Sequence, residues 1–449
     1  MQQFRIIAAN CGIATGGSLL KRYINKLISA IKSLTEKGFF HIFIGNTLVK
    51  CVSLCSAILL PRILVPESIY GMLGTVDNVN SYLILMNGLG LANSVLRFCA
   101  MKDTLEEKTA VFKFCLKFGL VVDGLVVLIY LPLLLFSTLF SSGNYGDAKI
   151  YILVACLIPM LTYIQEVAMI YMRANLMNKA YSKVSVLYTI LYAGFQVLLA
   201  AVFSLRGVFI GRYIALSITA AICFWLLYRN KVLAKDPETL TKSEKKKIVF
   251  YGLGAMIANA FSLIMPYNET LVVNLVLQDL SSTAYYKAAS MIPSNLQYIA
   301  TSVVVFIFPY FAKKTGQWAW IRKNSLLVVL GMLGIMIPII AMGYVFTPHI
   351  ILWIYGKNYA PAIEIMKPMW VAFGVNAVVR VPLGNILAAV GELKFNIALS
   401  AFISLLHLVL DYYFISTMGI GGAAYALMIA YSVSSLCSII FIFAKRERV

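Results

Sequence analysis

Twelve apolar runs of roughly 20 residues, the length a helix needs to cross a bilayer, follow one another along this chain. They cover 39–60, 69–95, 112–139, 149–172, 184–204, 207–228, 248–277, 284–311, 325–346, 361–389, 395–416 and 420–444. Lipid offers no partner to a backbone polar group, so a spanning segment must satisfy its own. The pattern therefore predicts an all-α, polytopic membrane protein of about 12 transmembrane helices. Several runs contain proline, among them Pro132, Pro159, Pro266, Pro293, Pro338 and Pro382, which bundles accommodate as kinks. Residues 20–37, LKRYINKLISAIKSLTEK, follow a different pattern. Leu20, Ile24, Leu27, Ile28, Ile31 and Leu34 share one helical face, and Lys21, Arg22, Lys26, Lys32 and Lys37 lie mostly on the other. Residues 1–38 are thus expected to form a basic amphipathic segment on the membrane surface.

Composition agrees with this class. The chain is 61% hydrophobic and only 12% charged, against about 25% charged in soluble domains, and its mean hydropathy is +0.85. The net charge of +20 would suggest nucleic acid on a soluble protein. Here it is topogenic, and no nucleic-acid partner is expected. Of 38 basic residues, 28 fall in the two terminal segments and the even-numbered loops, and four (Arg62, Lys149, Arg206, Lys357) in the odd-numbered loops. The positive-inside rule then places both termini in the cytoplasm. The longest inner loop, RNKVLAKDPETLTKSEKKK (229–247), separates a six-helix bundle at 39–228 from a second at 248–449. Cysteines fall mostly inside apolar runs and form no disulfide or metal spacing.

The two bundles echo each other. GNTLVKCVSL (45–54) resembles GAMIANAFSL (254–263), offset by 209. ESIYGML (67–73) aligns with STAYYKA (282–288) at 215, Lys183 with Lys394 at 211, and RGVFIGRYIA (206–215) with MGIGGAAYAL (418–427) at 212. An even number of spans per repeat makes the repeats parallel, related by a pseudo-twofold axis along the membrane normal. Such an architecture predicts a central cavity between the halves, worked by alternating access.

Six cations lie within the runs: Lys50, Lys117, Arg212, Lys287, Lys367 and Arg380. An ionised side chain inside the bilayer is costly unless it faces a wet cavity or a partner. Lys117 and Lys367 lie near run edges, where snorkelling accounts for them. Lys50, Arg212, Lys287 and Arg380, with Arg97 at the inner end of the second run, would line an electropositive cavity. That suits an anionic passenger such as a phosphate or pyrophosphate, whose oxygens pair with guanidinium and ammonium groups. Asp77, Asp123, Glu166, Glu269 and Asp411 also enter the runs. Pairing with the cations to hold helices together is the structural alternative, and Glu166 and Arg380 occupy similar depths. His407 and Asp411, four apart on one face, suit either a proton-linked pair or a structural hydrogen bond. Glu166, Glu269, His407 and Asp411 are the candidates for ion coupling or cavity pairing.

No G-x-x-x-x-G-K-[ST] occurs, so no Walker site for ATP is present. GIGGAA (419–424) lies between apolar helices without a preceding strand. Its small residues read as close helix packing. No serine or cysteine has a plausible histidine partner for catalysis, so no catalytic residue, metal ligand set or cofactor is assigned.

YGMLGTVDNVNSYLILMNGLGLANSVLRF (70–98) resembles the second helix of bacterial polysaccharide transporters: a YG, a helix, G-L-G, then an arginine followed by an aromatic. LLPRILVPESIYG (59–71) is similar to their first loop, and MGIGGAAYAL (418–427) to the opening of their last helix. The family comprises O-antigen and exopolysaccharide flippases of the multidrug/oligosaccharidyl-lipid/polysaccharide exporter (MOP) superfamily. The resemblance implies a flippase, not an enzyme. It would turn undecaprenyl-pyrophosphate-linked oligosaccharide across the bacterial cytoplasmic (inner) membrane, with basic cavity residues for the pyrophosphate and coupling to H+ or Na+. Lys50, Arg97, Arg212, Lys287 and Arg380 are the expected pyrophosphate contacts. Membrane lipids and polysaccharide polymerase machinery are the expected partners, and the chain is expected to be a monomer. An ion-coupled exporter of small amphipathic compounds is the first alternative, and a membrane glycosyltransferase or polymerase the second.

Overall fold

The computed structural model describes residues 39–136, 143–235 and 237–445. The amphipathic segment expected at 1–38 lies outside them. The described residues form helices joined by short turns, without a strand. In the first half these are α1 (Phe39–Ile63), α2 (Glu67–Met86), α3 (Leu91–Met101), α4 (Leu105–Phe136), α5 (Gly143–Ala155), α6 (Ile158–Ala174) and α7 (Asn178–Arg229). The second half contains α8 (Lys242–Val276), α9 (Leu280–Ser294), α10 (Leu296–Ala312), α11 (Trp318–Ile354), α12 (Ala362–Val375), α13 (Val381–Ala389), α14 (Leu393–Met418) and α15 (Gly421–Ala444). Each of the twelve apolar runs is carried by one of these helices, by a broken pair, or by one limb of α7.

The breaks have local causes. Between α2 and α3 the chain makes a 3-10 turn over Asn87–Gly90, with Gly88, Leu89 and Gly90 at φ 51°, 49° and 71°. The glycines are required there. A Cβ on Gly88 would stand 2.2 Å from the Tyr163 ring, and one on Gly90 2.4 Å from the Gly252 carbonyl. The turn frees backbone groups at membrane depth, and polar side chains satisfy them. Gly88 N–H donates to Asp123 Oδ1 at 2.7 Å, and Asn87 Nδ2 donates to the Pro159 carbonyl at 2.9 Å. α5 and α6 meet at a 44° bend, with Pro159 in the first turn of α6. α7 holds two runs because it reverses at Ser204, φ 53° and ψ −137°.

The second half repeats these irregularities. α9 and α10 are broken at Asn295, and a π turn over Asn376–Arg380 separates α12 from α13. α14 reverses into α15 through Gly419, φ 65° and ψ −154°. Ser204 and Gly419 are thus equivalent turns, 215 residues apart. The structure shifts the pairing of this region from the offset of 212 that letter matching suggests. Backbone geometry, rather than shared glycine and tyrosine, sets that register. The close approaches agree: a Cβ on Gly207 would lie 1.9 Å from the Leu199 carbonyl oxygen, and one on Gly422 2.2 Å from that of Phe414.

The halves meet chiefly where α2 packs on α8 and α9, and α3 on α8. Apolar packing is reinforced by polar contacts that cross the seam. Asn78 Nδ2 donates to the Tyr267 carbonyl and Tyr82 Oη to Asn268 Oδ1, both at 2.8 Å. Asn274 Oδ1 accepts from Thr75, Asn144 and Thr283 at 3.0, 3.0 and 2.7 Å. Nearer the 229–247 connection, Ser94 Oγ donates to the Ile248 carbonyl at 2.8 Å. Apolar side chains such as Leu125, Leu128, Ile129 and Leu405 are exposed on the perimeter, as lipid-facing residues should be.

Candidate functional site

A cavity of ≈ 280 Å³ opens between α1, α2, α7 and α9. Its walls mix apolar side chains, Ala57, Leu60, Leu73 and Ala193, with Ser53, Ser56, Thr189, Tyr192 and Gln196, around Asp77, Arg212 and Lys287. Arg212 comes from the second limb of α7. Its guanidinium takes Asp77 by both oxygens, Nη1–Oδ1 at 2.5 Å and Nη2–Oδ2 at 3.3 Å. This fork-on-carboxylate geometry is the strong form of an ion pair. Arg212 Nε donates to Gln196 Oε1 at 3.3 Å, and Gln196 Nε2 donates to Ser56 Oγ at 2.6 Å. The arginine is thereby braced to α1. The Tyr192 and Phe209 rings lie 5.6 and 5.7 Å from the guanidinium.

Lys287 reaches the same carboxylate from the other half, Nζ–Oδ2 at 2.8 Å. Gly74 permits this. A Cβ there would sit 3.3 Å from Lys287 Cδ and 3.1 Å from Thr283 Cγ2, so the missing side chain leaves the lysine stem its path across α2. The Tyr70 ring lies 5.2 Å from Nζ. The cavity thus holds two cations and one carboxylate, a net charge of +1.

The remaining predicted cations lie elsewhere. Lys50 is exposed on α1 and points at Tyr298 of α10, its Nζ bonded to the hydroxyl and 3.8 Å from the ring centre. This second contact also crosses from one half to the other. Arg97, exposed on α3, stacks 4.4 Å over the Tyr251 ring of α8, toward the face that carries the 229–247 connection. Arg380 ends the π turn, with Nε at 3.3 Å from Ser434 Oγ, Nη1 at 3.2 Å from Asn376 Oδ1, and the Tyr431 ring at 5.2 Å. It does not pair with Glu166, which is exposed on α6. Equal depth in equivalent helices does not bring the two side chains together. The five cations therefore divide into Arg212 with Lys287, and three separate stations.

Glu269, His407 and Asp411 do converge. Their ligand atoms lie within 4.8 Å of one another, and the residues are 1%, 0% and 0% exposed. His407 Nδ1 stands 3.0 Å from Asp411 Oδ2, in an orientation that completes no hydrogen bond. Glu269 Oε1, both His407 nitrogens and both Asp411 oxygens lack hydrogen-bond partners among the described residues. Tyr286 flanks Glu269. Orphaned buried polar atoms are costly, and a proton or a small cation shared among these groups would relieve them.

Asp77 is the residue that sequence reasoning left outside the site. It stood out only as one acidic residue within an apolar run, and its partners lie 135 and 210 residues away. Arg212 and Lys287 are both paired with it.

A family model described as polysaccharide biosynthesis protein matches residues 36–314. No curated protein matches the chain. Among solved structures, an inward-facing multidrug resistance MATE transporter of the MOP superfamily is similar with a TM-score of 0.70 at 15% identity. That match covers 89% of this chain and 94% of the other. The lipid II flippase MurJ in an inward closed conformation is similar with a TM-score of 0.70 at 16% identity, covering 90% and 87%. A MOP superfamily transporter from Pyrococcus furiosus, described as having a binding pocket of reversed polarity that suggests a different function, has a TM-score of 0.62 at 15% identity, covering 91% and 94%. The likenesses extend over the whole bundle, and the fold is that of the MOP transporters.

Proposed function

The chain belongs to the polysaccharide biosynthesis protein family, and from that premise we propose that it flips an undecaprenyl-pyrophosphate-linked oligosaccharide across the bacterial cytoplasmic membrane for cell-surface polysaccharide assembly. Its role is transport, not catalysis. The observation that carries the cargo reading is the charge of the cavity in the first half, into which Lys287 reaches from the second. Arg212 and Lys287 converge there on a single carboxylate, leaving one positive charge uncompensated. Desolvated guanidinium and ammonium groups select oxyanions, and the surrounding hydroxyls and amides of Ser53, Ser56, Tyr192 and Gln196 suit the adjoining sugar.

In this reading the face bearing the 229–247 connection is cytoplasmic. Arg97 is the entry contact for the pyrophosphate, Lys50 lies on its path, and Arg212 and Lys287 hold it within the bundle. The polyprenyl tail stays in lipid. The Glu269–His407–Asp411 cluster carries the coupling H+ or Na+, with Arg380 one helix away. Polymerase machinery receives the flipped product.

Reconstitution in liposomes with a fluorescent lipid-linked oligosaccharide tests the proposal, with leaflet transfer read by a membrane-impermeant quencher. Transfer by the wild-type chain, reduced at least tenfold in a Lys50→Gln, Arg212→Gln, Lys287→Gln variant, is the expected result. An unchanged rate in that variant would sink the assigned site.

A further inference from the structure

Lys287 and Arg212 already hold an oxyanion: the carboxylate of their own chain. We propose that Asp77 is an internal stand-in for the anionic group of the cargo, and that an incoming phosphate or pyrophosphate binds by displacing Asp77 from Lys287 and Arg212. The inference rests on the flippase reading and adds to it a residue that sets anion affinity and ties that affinity to the contact between the halves.

The geometry carries three parts of this. First, Asp77 uses both of its oxygens on the two cations. Oδ1 takes Arg212 at 2.5 Å, while Oδ2 takes Lys287 at 2.8 Å and Arg212 at 3.3 Å. A phosphate offers the same donors the same chemistry with more oxygens and more charge. Second, the trio lies on the cavity and is reachable from it. The Asp77 and Lys287 side chains are 27% and 29% exposed, whereas Arg212, at 9%, forms the floor. Arg212 is braced by Gln196, so it stays in place when the carboxylate leaves. Lys287 has no such brace among the described residues and lies along the groove that Gly74 leaves open. Third, Asp77 belongs to α2 and Lys287 to α9, so exchanging Asp77 for a free anion breaks an ion pair between the halves. The two residues are 210 apart, whereas the local repeat offset of 215 pairs Lys287 with Met72, so it is the packing of α2 on α9 that makes them meet. α2 and α9 thus bring a carboxylate and an ammonium face to face at the seam.

Competition makes a prediction that a purely structural salt bridge does not. If Asp77 only braces the fold, neutralising it loosens the site and weakens anion binding. If it competes, neutralising it raises the site from +1 to +2 and frees both donors.

Titration calorimetry of the full-length, detergent-solubilised protein with inorganic pyrophosphate separates the two. The Asp77→Asn variant is expected to bind about tenfold more tightly than wild type, the scale on which one adjacent charge shifts an ionic equilibrium. Arg212→Gln is expected to lose binding, and Lys287→Gln to weaken it. Asp77→Ser, smaller and uncharged, is the second variant should the asparagine fail to fold, and the same tightening is expected. Wild-type binding with equal or weaker affinity in the folded Asp77 variants would overturn the competitive role and leave the flippase reading intact. No pyrophosphate binding by wild type or by either Asp77 variant would overturn the anionic-cargo reading itself.

Discussion

Gly71 and Leu280 touch backbone to backbone across the two halves: a Cβ on Gly71 would stand 1.7 Å from the Leu280 carbonyl oxygen. Here α2 packs tightly on the start of α9. Gly71 lies about 1.7 turns from Asp77 on the same helix, so helix contact and ion pair form one seam.

Gly71→Ala is therefore expected to destabilise the protein by about 1–3 kcal/mol, the range for overpacking a tight contact. Thermal unfolding in detergent measures it. An unchanged midpoint would mean that the two helices do not pack this closely.

The turns at Ser204 and Gly419 share a backbone conformation that glycine adopts without strain and serine does not. Ser204→Gly is expected to stabilise the protein by about 1 kcal/mol, and Gly419→Ser to destabilise it by about 1–3 kcal/mol. Opposite shifts of the unfolding midpoint would confirm the equivalence of the two turns. Shifts of the same sign would refute it.

The first turn of α8, ahead of its apolar run, is closed by a capping box. Glu244 Oε2 accepts from Thr241 N–H at 3.0 Å and from Thr241 Oγ1 at 2.9 Å, and Lys102 Nζ lies 3.1 Å from Glu244 Oε1. The Thr241 backbone and hydroxyl, then the Lys102 ammonium, hold the Glu244 carboxyl down at about 2, from 4.5. A depressed carboxylate contributes stability that is complete above its unfolded value and disappears as pH falls through the folded one. Thr241→Ala should thus cost about 1 kcal/mol at neutral pH. Its difference from wild type should narrow between pH 4.5 and 2, read by denaturation at a series of pH values. A pH-independent difference would exclude the linkage.

Asp411 faces Glu269 and His407 with no other partner for its oxygens among the described residues. If this cluster carries the coupling ion, Asp411→Asn removes the response of transport to an imposed H+ or Na+ gradient and spares transfer down a cargo gradient. Proteoliposome assays with each gradient applied separately check it. A full gradient response in Asp411→Asn would discard the cluster as the coupling site.

The spans were legible in the sequence because a membrane helix satisfies its own backbone, so length and hydropathy suffice to announce it. Arg212 and Lys287 were legible as site candidates for a related reason: a cation within an apolar run is too costly to lack a purpose. The purpose was less legible. That both meet Asp77, that Lys50 instead meets Tyr298, and that Glu166 lies apart from Arg380 depend on helix rotation and packing. Periodicity along a single helix does not reveal these. The turn at Ser204 was hidden too, since serine gives no sign of a backbone conformation that glycine favours. The second half declares the same turn through Gly419.

The amino-acid sequence was enough to identify a bundle of membrane helices, and it pointed to an internal repeat and to the charges that enter the apolar runs. Those properties are local, or repeat at a fixed spacing. Which charges pair with which follows only from the folded arrangement of the helices. A carboxylate on α2, a guanidinium on α7 and an ammonium on α9 become one site only when the halves close on each other, because an ion pair depends on a few ångströms in space and not on distance along the chain.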